Sequence, residues 1–368
     1  MDLKYLHLIR KTRIVESLKR LIHDQTGHEI IIFDEGYNDV NGNKVSKAVL
    51  NQKLQSCDTL FVHFMDIEKA RIVNGLTPEK KIVWFFWGGD GYHLGKFYNQ
   101  FILPKTQKLR LKLAIDHFWN GGWKDVSKIV LGPLSDYFYP NYQVLKAIRN
   151  VDYIVPIVPQ DYYILTSRYN FSAELFHLNY INDVFSTHPS IDQYESGKNI
   201  LLGNSAHFSN NHMEAIDKLA SYELGERKVI IPLSYGDEQY AKYIKKYARQ
   251  NLGENTLILD NYLPLNEYRR LIASCNIMMM NQCRQQALGN VIIALWFEKT
   301  LYLNKKSGLY EYLVGHDFNI LTVNEYKVGN ILNQQQLGHN KKQLYKVFGP
   351  DVQREKFRKL TTHLADVN

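Results

Sequence analysis

Two polar segments of the chain carry residue types that bind phosphorylated ligands, and each lies between a short apolar run and a longer amphipathic stretch. The first contains Gly203, Asn204 and Ser205. Glycine lets the backbone approach a ligand closely, and the amino terminus of a following helix favours a phosphate group. An ordinary turn between a strand and a helix, capped by Ser209 or Asn211, would use the same residue types. Both interpretations remain open for this segment alone.

The second segment, residues 281–290, is a polar decapeptide that precedes an apolar stretch typical of a helix. Its arginine can clamp a diphosphate with the planar guanidinium group, its glutamines can bind sugar hydroxyls, and its glycine allows close approach near the start of the helix. Packing does not require so many adjacent polar residues, which favours a ligand-binding role. The candidate residues are Asn281, Arg284, Gln285, Gln286, Gly289 and Asn290.

A third segment, residues 84–92, places a carboxylate on a glycine-rich loop at the end of an apolar run. Asp90 could act there as the general base that accepts a proton from a hydroxyl group. A tight turn in which Asp90 accepts hydrogen bonds from backbone amides is the alternative. His93 is a second candidate base in the same loop.

No set of residues forms a convincing metal site. The 13 histidines are scattered, and the sequence contains neither a His-x-x-x-His nor an Asp-x-Asp pairing. This favours a metal-independent mechanism, in which a helix dipole and basic residues stabilise a leaving diphosphate. The motifs of a P-loop and of a Gly-x-Ser-x-Gly nucleophile turn are also absent, which argues against a P-loop nucleotidase and an α/β-hydrolase.

Short runs rich in Ile, Val and Phe alternate with longer amphipathic stretches, and this rhythm predicts parallel strands joined by crossover helices. The pattern restarts after a polar stretch at residues 185–198, so we expect an α/β protein with two similar domains facing a cleft. Strands are predicted at residues 3–9, 30–33, 59–64, 81–87, 153–158, 199–202, 228–232, 256–259, 277–281 and 301–303. Helices are predicted at residues 15–24, 211–222, 239–250, 265–274 and 287–298.

The composition is that of an ordinary folded protein of 368 residues with a formal net charge of +8. Three cysteines are too few to form a disulfide scaffold for a chain of this length. So small a number is typical of a protein in a reducing cytoplasm. No apolar run approaches the ~20 residues that a transmembrane helix needs, and the first residues lack the apolar core of a signal peptide. We therefore expect the protein to remain in the cytoplasm.

Two basic segments stand out from a chain that is otherwise close to neutral. Residues 105–128 carry a net charge of +4, and residues 341–359 carry +5. The first segment interleaves basic residues with leucines and aromatic residues. This pattern is typical of a surface helix that touches anionic lipid, or of a solvated helix with a buried apolar side. A nucleic acid is the less favoured partner, and we expect none.

The chain resembles a known family of enzymes at residues 82–92 (IVWFFWGGDGY), residues 201–205 (LLGNS) with His212 shortly after, residues 231–235 (IPLSY) and residues 284–289 (RQQALG). These are the 4-acetamido-4,6-dideoxygalactose (TDP-Fuc4NAc):lipid II transferases, glycosyltransferase family 56, also named 4-alpha-L-fucosyltransferases. The order and spacing of these motifs agree over most of the chain, from about residue 4 to residue 323.

The resemblance implies a GT-B glycosyltransferase with a Rossmann-like acceptor-binding domain at residues 1–190 and a Rossmann-like nucleotide-sugar-binding domain at residues 191–340. Residues 341–368 would form a basic helix that packs back on the first domain. The implied reaction moves a Fuc4NAc-like deoxyamino sugar from a TDP-sugar to a polyprenyl-diphosphate-linked oligosaccharide without a metal cofactor. It would serve the synthesis of a bacterial surface polysaccharide, such as O-antigen or enterobacterial common antigen. The protein would be peripheral on the inner face of the cytoplasmic membrane.

The family's motifs also assign residues. Its glycine loop maps onto Gly203, Asn204 and Ser205, and its Arg-Gln-Gln–Gly segment maps onto Arg284, Gln285, Gln286 and Gly289. These residues would form the nucleotide-sugar site, to which Tyr235 is added. Many GT-B enzymes carry two glutamates eight residues apart near this site, and this chain has no such pair there. An epimerase-like nucleotide-sugar enzyme and a non-catalytic GT-B protein that binds sugar nucleotides therefore stay open as alternatives. The residues expected on the acceptor or membrane side are Trp87, Gly88, Tyr92, Lys108, Arg110, Lys112, Trp119 and Trp123.

Overall fold

The structure is a computed structural model that describes residues 4–97, 99–119, 132–188 and 197–367. Its strands are β1 (Tyr5–Arg10), β2 (His28–Asp34), β3 (Gly36–Asn38), β4 (Lys44–Val45), β5 (Thr59–His63), β6 (Lys81–Phe86), β7 (Tyr153–Pro156), β8 (Glu174–Leu175), β9 (Asn199–Leu202), β10 (Val229–Pro232), β11 (Thr256–Leu259), β12 (Cys275–Met280), β13 (Thr300–Leu303) and β14 (Leu321–Thr322). Its helices are α1 (Ile14–Ile22), α2 (Lys47–Ser56), α3 (Ile67–Asn74), α4 (Gly89–Tyr92), α5 (Pro104–Trp119), α6 (Asn141–Arg149), α7 (Pro159–Thr166), α8 (Val184–Thr187), α9 (His212–Ala220), α10 (Glu238–Leu252), α11 (Leu265–Ser274), α12 (Leu288–Trp296), α13 (Gly308–Gly315), α14 (Gln334–Phe348) and α15 (Pro350–Asp366).

The chain divides into two compact units. The first unit comprises Met1–Tyr98, Pro133–Phe185 and Phe348–Asn368, and the second comprises Asn99–Gly132 and Ser186–Val347. Each unit is built on one sheet, so the expectation of two α/β halves agrees with the observed architecture.

The sheet of the first unit has the strand order β4-β3-β2-β1-β5-β6-β7-β8 among the described residues. Its strands run parallel except for the hairpin strands β3 and β4, which are antiparallel. The order reverses between β1 and β5, and the crevice beyond the carboxyl ends at such a point is where ligands bind in open α/β sheets. The loop with the candidate base follows the neighbouring strand β6.

The sheet of the second unit is entirely parallel in the described chain, in the order β11-β10-β9-β12-β13-β14. This is the strand order of a Rossmann fold, and the order reverses between β9 and β12. Strands such as β10 and β13 are buried along their whole length because helices cover both faces. The predicted strands at 199–202 and 256–259 coincide with β9 and β11.

Helices cover the second sheet by burying one face each. In α10, Tyr240, Ala241, Ile244 and Ala248 are buried, a spacing that places them on one side of the helix. The Asp237 side chain begins this helix by accepting a hydrogen bond from the Tyr240 backbone N–H at 2.8 Å. This cap fixes where the loop after β10 ends.

Residues 99–132 belong with the second unit, which corrects their predicted place in the acceptor-binding domain. The backbone N–H and hydroxyl of Thr106 donate hydrogen bonds to Glu214 at 3.0 and 2.6 Å, and Lys105 forms an ion pair with Asp217. Leu109 is buried in the core of the second sheet. These contacts join α5 to α9, a pairing of residues too distant in sequence for local patterns to predict.

The end of the chain also divides differently from the predicted boundary at residue 341. Most of α14 belongs to the second unit, whereas α15 belongs to the first. Gln353 Oε1 accepts a hydrogen bond from the Asn179 backbone N–H at 2.6 Å, and the buried Phe357 ring lies against the rings of His7 and His28. The helix that returns to the first unit is therefore α15, beginning at Pro350.

Candidate active site

The carboxyl ends of β9 and β12 lie side by side in the second sheet. Gly203 is the first residue after β9 and has a backbone φ of 69°, a conformation that favours glycine. A Cβ atom at this position would lie 2.6 Å from His212 Nε2 and 2.9 Å from Asn210 Oδ1. The loop therefore requires glycine both for its backbone conformation and for the close approach of two buried side chains.

The Asn204 side chain connects three loops at this edge of the sheet. Its Oδ1 accepts hydrogen bonds from Gln282 Nε2 at 3.2 Å and Gln286 Nε2 at 3.0 Å. Its Nδ2 donates to Tyr235 Oη at 3.0 Å. Because the two glutamines follow β12 and the tyrosine follows β10, uncharged amides fasten the loops of β9, β10 and β12 together.

A buried layer of amides supports this connection. Asn210 Oδ1 accepts a hydrogen bond from Gln282 Nε2 at 2.7 Å, and Asn210 Nδ2 donates to the Ser205 carbonyl at 2.9 Å. Asn211 and Asn281 each donate a side-chain N–H to the other's carbonyl oxygen, at 3.0 and 3.1 Å. Asn211 has a φ of 50°, and residues held in this left-handed conformation are concentrated at functional sites.

The start of α12 presents backbone N–H groups at the same edge. Ala287 precedes this helix with a φ of 59°, and Gly289 is exposed in its first turn. Asn290 Nδ2 donates to Tyr268 Oη at 3.1 Å. The helix dipole places partial positive charge at the amino terminus, so an anion is favoured there.

Arg284 places a positive charge beside these loops. It is half-buried, and its Nη1 donates to the Gln285 carbonyl at 3.2 Å. Desolvation of the His207 imidazole, with a further contribution from the charge of Arg284, lowers its pKa below the usual range. An arginine next to a helix start suits a diphosphate. The sequence analysis missed His207, although its position between Ser205 and Asn210 was a signal that could have identified it.

The structure separates the predicted donor-site residues into two groups. Those that are buried are Gly203, Asn204, Ser205, Asn281 and Gln285. Those that are exposed or half-buried and form the rim are Tyr235, Arg284, Gln286, Gly289 and Asn290. The buried Asn210 and Gln282 belong to the first group, and neither was predicted as a site residue.

In the first unit, the predicted catalytic loop follows β6. Asp90 is fully buried, and its Oδ1 accepts a hydrogen bond from the Trp87 backbone N–H at 3.0 Å. Its Oδ2 accepts from the Met65 N–H at 2.9 Å and from Trp84 Nε1–H at 2.7 Å. Burial raises the pKa of Asp90 to about 6. The carboxylate has no exposed atom and holds the turn, which favours the alternative of a tight turn, and the role of Asp90 as general base stays a prediction.

His93 differs from Asp90 because it is exposed. Its Nδ1–H donates to the Gly89 carbonyl at 2.9 Å, and the neutral tautomer defined by that bond has its lone pair on Nε2. Of the residues expected on the acceptor side, Trp87 is half-buried and Gly88 has a φ of 90°. Tyr92 is buried, and its hydroxyl donates a hydrogen bond to Asp161, which helps to hold the loop in place.

The remaining predicted residues lie on or after α5. Lys108 and Lys112 are exposed, and the Arg110 guanidinium lies 5.6 Å from the centre of the Phe208 ring. Trp119 is the last residue of α5, and Trp123 lies outside the described residues. All of α5 belongs to the second unit.

Within the described ranges, no group of three or more His, Cys, Asp or Glu side chains is placed to hold a metal ion. Among the helices that the structure describes, none is both long and apolar enough to cross a membrane.

Solved structures with the same fold are glycosyltransferases of low sequence identity. Sucrose-phosphate synthase from Thermosynechococcus elongatus has a TM-score of 0.61 at 10% identity, covering 99% of this chain and 100% of that chain. HepE from Anabaena, solved with UDP and glucose, has a TM-score of 0.60 at 12% identity, covering 98% of this chain and all of the other. A glycosyltransferase from Rickettsia africae has a TM-score of 0.60 at 9% identity and 99% coverage of both chains. These similarities show that the fold is of the GT-B type.

A sequence profile identifies the family. The profile described as 4-alpha-L-fucosyltransferase, glycosyl transferase group 56, matches residues 159–363, which is more than half of the chain. The matched region includes the whole second sheet with Gly203, Asn204 and Arg284, and the loop that holds Asp90 lies outside it. The chain therefore belongs to the 4-alpha-L-fucosyltransferase family, glycosyl transferase group 56, and is a glycosyltransferase.

Proposed function

We propose that this glycosyltransferase transfers a 4-amino-4,6-dideoxyhexose of the Fuc4NAc type from a TDP-sugar to a polyprenyl-diphosphate-linked oligosaccharide. The family supports the reaction class, and the motifs of the sequence support the choice of donor and acceptor. The product would enter a bacterial surface polysaccharide such as O-antigen or enterobacterial common antigen.

The observation that carries the proposal is the edge of the second sheet around Asn204. Buried amides hold three loops in fixed positions, and Arg284 and the start of α12 supply positive charge at the rim. This arrangement suits the diphosphate of a nucleotide sugar, because preorganised donors stabilise negative charge without having to reorganise during the reaction. The rim residues Tyr235, Gln286 and Asn290 are available for contacts with the nucleoside or the sugar.

In the proposed reaction, the bond between the anomeric carbon and the diphosphate oxygen of the donor breaks, and a glycosidic bond to the acceptor oxygen forms. Arg284 and the α12 dipole stabilise the negative charge of the departing TDP, so no metal cofactor is part of the proposal. The acceptor hydroxyl proton goes to a base, for which His93 Nε2 is the candidate on the first unit.

We also propose that the protein binds an anionic membrane surface on the cytoplasmic side through α5. Lys108, Leu111, Lys112 and Ile115 share one face of this helix and are all exposed, with Leu111 45% and Ile115 43% accessible. A face that combines aliphatic and lysine side chains is typical of helices that lie in the lipid headgroup region. The opposite face, with Thr106 and Leu109, is buried in the second unit.

Vesicle sedimentation tests this surface. We expect the wild-type chain to sediment with vesicles that contain phosphatidylglycerol, and Lys108→Glu with Lys112→Glu to abolish most of that binding. Lys242→Glu with Lys246→Glu, at the same spacing on the exposed face of α10, is the matched control and should keep the binding. Equal loss in both double variants would show that only net charge matters, and equal binding in all three proteins would refute the role of α5.

The reaction itself is tested by incubating the purified protein with radiolabelled TDP-Fuc4NAc and a polyprenyl-diphosphate-linked oligosaccharide. We expect radioactivity to move into the organic-soluble lipid fraction in a ratio of one sugar per TDP released. Conversion of the TDP-sugar to an isomer without TDP release would favour an epimerase. Donor binding with no transfer to any lipid-linked acceptor would favour a non-catalytic sugar-nucleotide-binding protein.

A further inference from the structure

Five side chains of the first unit form a continuous chain of hydrogen bonds beneath the candidate acceptor loop. His28 Nδ1 lies 2.8 Å from His7 Nε2, and His7 Nδ1 lies 2.9 Å from His63 Nε2. His63 Nδ1 lies 2.5 Å from Tyr180 Oη. Trp87 Nε1–H donates to the same Tyr180 oxygen at 3.0 Å. The chain crosses three adjacent strands and ends at the residue that follows β6.

Sheet register explains why the three histidines meet. Tyr5 is paired with His28 across β1 and β2, and His7 is paired with Phe61 across β1 and β5. Residues two apart in a strand point to the same face, so His28, His7 and His63 form a diagonal row on one face of the sheet. The row runs from the amino end of β2 to the carboxyl end of β5.

The chemistry of the Trp87 end fixes the direction of the last hydrogen bond and favours one direction for the others. An indole N–H can only donate, so the Tyr180 oxygen accepts from Trp87. The Tyr180 hydroxyl proton must then go to His63 Nδ1, which places the His63 proton on Nε2. The same argument places the protons of His7 and His28 on Nε2. In this direction the buried His28 Nε2–H has no partner among the described residues, whereas the opposite direction would leave the Tyr180 proton without an acceptor there. In either direction Tyr180 accepts the hydrogen bond from Trp87.

The chain requires every imidazole to be neutral, because a protonated ring would place two donors against each other. Burial lowers the pKa of His7 well below its usual range and that of His63 to about 3. Burial lowers the pKa of His28 to about 4. These hydrogen bonds are therefore intact throughout the neutral pH range.

Trp87 is held at two points by different neighbours. Its backbone N–H donates to Asp90 Oδ1 at 3.0 Å, and its side-chain N–H is held by Tyr180. The rings of Trp87 and Tyr180 meet edge to face, with their centres 6.0 Å apart. Trp87 remains half-buried at the carboxyl edge of the sheet, and the flat apolar face of an indole suits the C–H face of a sugar ring.

We propose that Tyr180, held by His63, His7 and His28, is a positioning residue that fixes the Trp87 indole as a stacking surface for a sugar ring of the acceptor. The acceptor part of this inference rests on the proposed function, whereas the positioning part stands on the hydrogen bonds alone. Sequence separation concealed the group, since Tyr180 lies more than 90 residues from Trp87.

Tyr180→Phe tests the proposal because it retains the ring and removes the hydroxyl. The matched control is Tyr162→Phe, whose hydroxyl donates to the Ala173 carbonyl elsewhere in the same unit. The first readout is the indole N–H resonance of Trp87, one of five tryptophans, assigned with Trp87→Phe in a 15N-labelled sample. We expect this resonance to move upfield and to exchange faster with solvent in Tyr180→Phe, and to be unchanged in Tyr162→Phe.

The second readout is steady-state transfer. We expect Tyr180→Phe to raise KM for the polyprenyl-diphosphate-linked oligosaccharide about tenfold, with kcat within about twofold and the Kd for TDP unchanged, because one positioning hydrogen bond is lost. If Tyr180→Phe does not fold, Trp87→Phe should raise KM by at least as much, since it removes the same hydrogen bond together with the indole that stacks on the sugar.

An unchanged Trp87 resonance in Tyr180→Phe would overturn the positioning chain, whatever the activity. A shifted resonance with an unchanged KM would overturn the role in acceptor recognition. An inactive wild-type protein would instead count against the proposed function, and the resonance would still decide whether the chain exists.

Discussion

Asp90 and His93 are three residues apart in one loop, yet their surroundings are opposite. Three donors surround the buried Asp90 carboxylate, and the Gly89 carbonyl helps to orient the exposed His93 ring. The sequence showed a carboxylate on a glycine-rich loop, and that pattern fits a base and a turn equally well. Burial distinguishes the two roles, and burial depends on β5 and β6, which residue types alone do not reveal.

Substitutions at these two residues should therefore have different effects. Asp90→Asn places its amide N–H groups either against the Trp87 donor or against the donors of Met65 and Trp84, so we expect a loss of about 1–3 kcal/mol in the free energy of unfolding. His93→Gln should leave stability unchanged and lower kcat about 100-fold or more, with the Kd for TDP unaffected. Urea unfolding and steady-state kinetics measure these quantities. Full turnover in His93→Gln would remove it as the candidate base.

The buried histidines make stability depend on pH. Burial lowers the pKa of His212 to about 3. It also lowers the pKa values of His7, His28 and His63. Below pH ~6.5 the unfolded chain binds protons that the native chain does not, so stability falls as pH decreases toward the native pKa values, by up to ~1.4 kcal/mol per pH unit for one fully buried histidine. Asp90 acts in the opposite direction. Because its pKa is raised in the native chain, the native state binds this one proton more readily than the unfolded state does, which offsets part of the loss of stability.

Urea unfolding at pH 7.5 and pH 5.5 checks this prediction, and we expect lower stability at pH 5.5. His212→Gln should reduce the difference between the two pH values, whereas His23→Gln, at an exposed position, should retain it. Equal or greater wild-type stability at pH 5.5 would contradict the neutral, buried state of these histidines.

At the scale of elements, the loop after β9 is the part of the donor site that tolerates least change. Gly203→Ala adds a Cβ atom that meets His212 and Asn210, in addition to the strain of a positive φ. Gly225 has a similar φ of 58° and nothing within 4 Å of a Cβ, so Gly225→Ala carries the strain alone. We expect Gly203→Ala to lose about 1–3 kcal/mol of stability and to weaken TDP binding, and Gly225→Ala to lose less and to bind TDP normally.

Calorimetry with TDP and thermal unfolding of both variants measure this difference. Equal TDP binding by Gly203→Ala and the wild type would show that the close packing under Gly203 does not shape the nucleotide site.

Local sequence patterns predicted the longer strands and helices of the parallel sheets better than the short strands. They did not predict contacts between residues far apart in sequence. The helix predicted at residues 265–274 coincides with α11, because its apolar spacing and flanking strands are clear in the sequence. The hairpin strands β3 and β4 were missed, although Asn41-Gly42 at their turn was a usable signal. The placement of α5 could not be predicted, since it depends on Thr106 and Lys105 meeting residues of α9 more than 100 positions later.

At the scale of the whole molecule, the chain completes its first unit with its last helix. Phe357 of α15 is fully buried against His7, His28 and Phe61. We expect Phe357→Ala to destabilise the first unit by about 3–5 kcal/mol. TDP binding, which we assign to the second unit, should persist below the unfolding temperature. Val367→Ala, at a 45% exposed position of the same tail, is the control.

Differential scanning calorimetry with and without TDP measures this effect. A loss of TDP binding in folded Phe357→Ala protein would place part of the nucleotide site in the first unit, contrary to the assignment made here.

The central claim is that the edge of the second sheet around Asn204 and Arg284 binds the diphosphate of a TDP-sugar. The most direct test is isothermal titration calorimetry of the wild type with TDP, UDP, GDP and CDP, and of Arg284→Ala and Arg249→Ala with TDP. Arg249 is exposed in the last turn of α10 and serves as the matched control. We predict selective binding of TDP, a Kd about 10- to 100-fold weaker in Arg284→Ala because a charge-assisted hydrogen bond is lost, and no change in Arg249→Ala. Preference for another nucleotide would contradict the donor assignment, and undiminished TDP binding by Arg284→Ala would contradict the site.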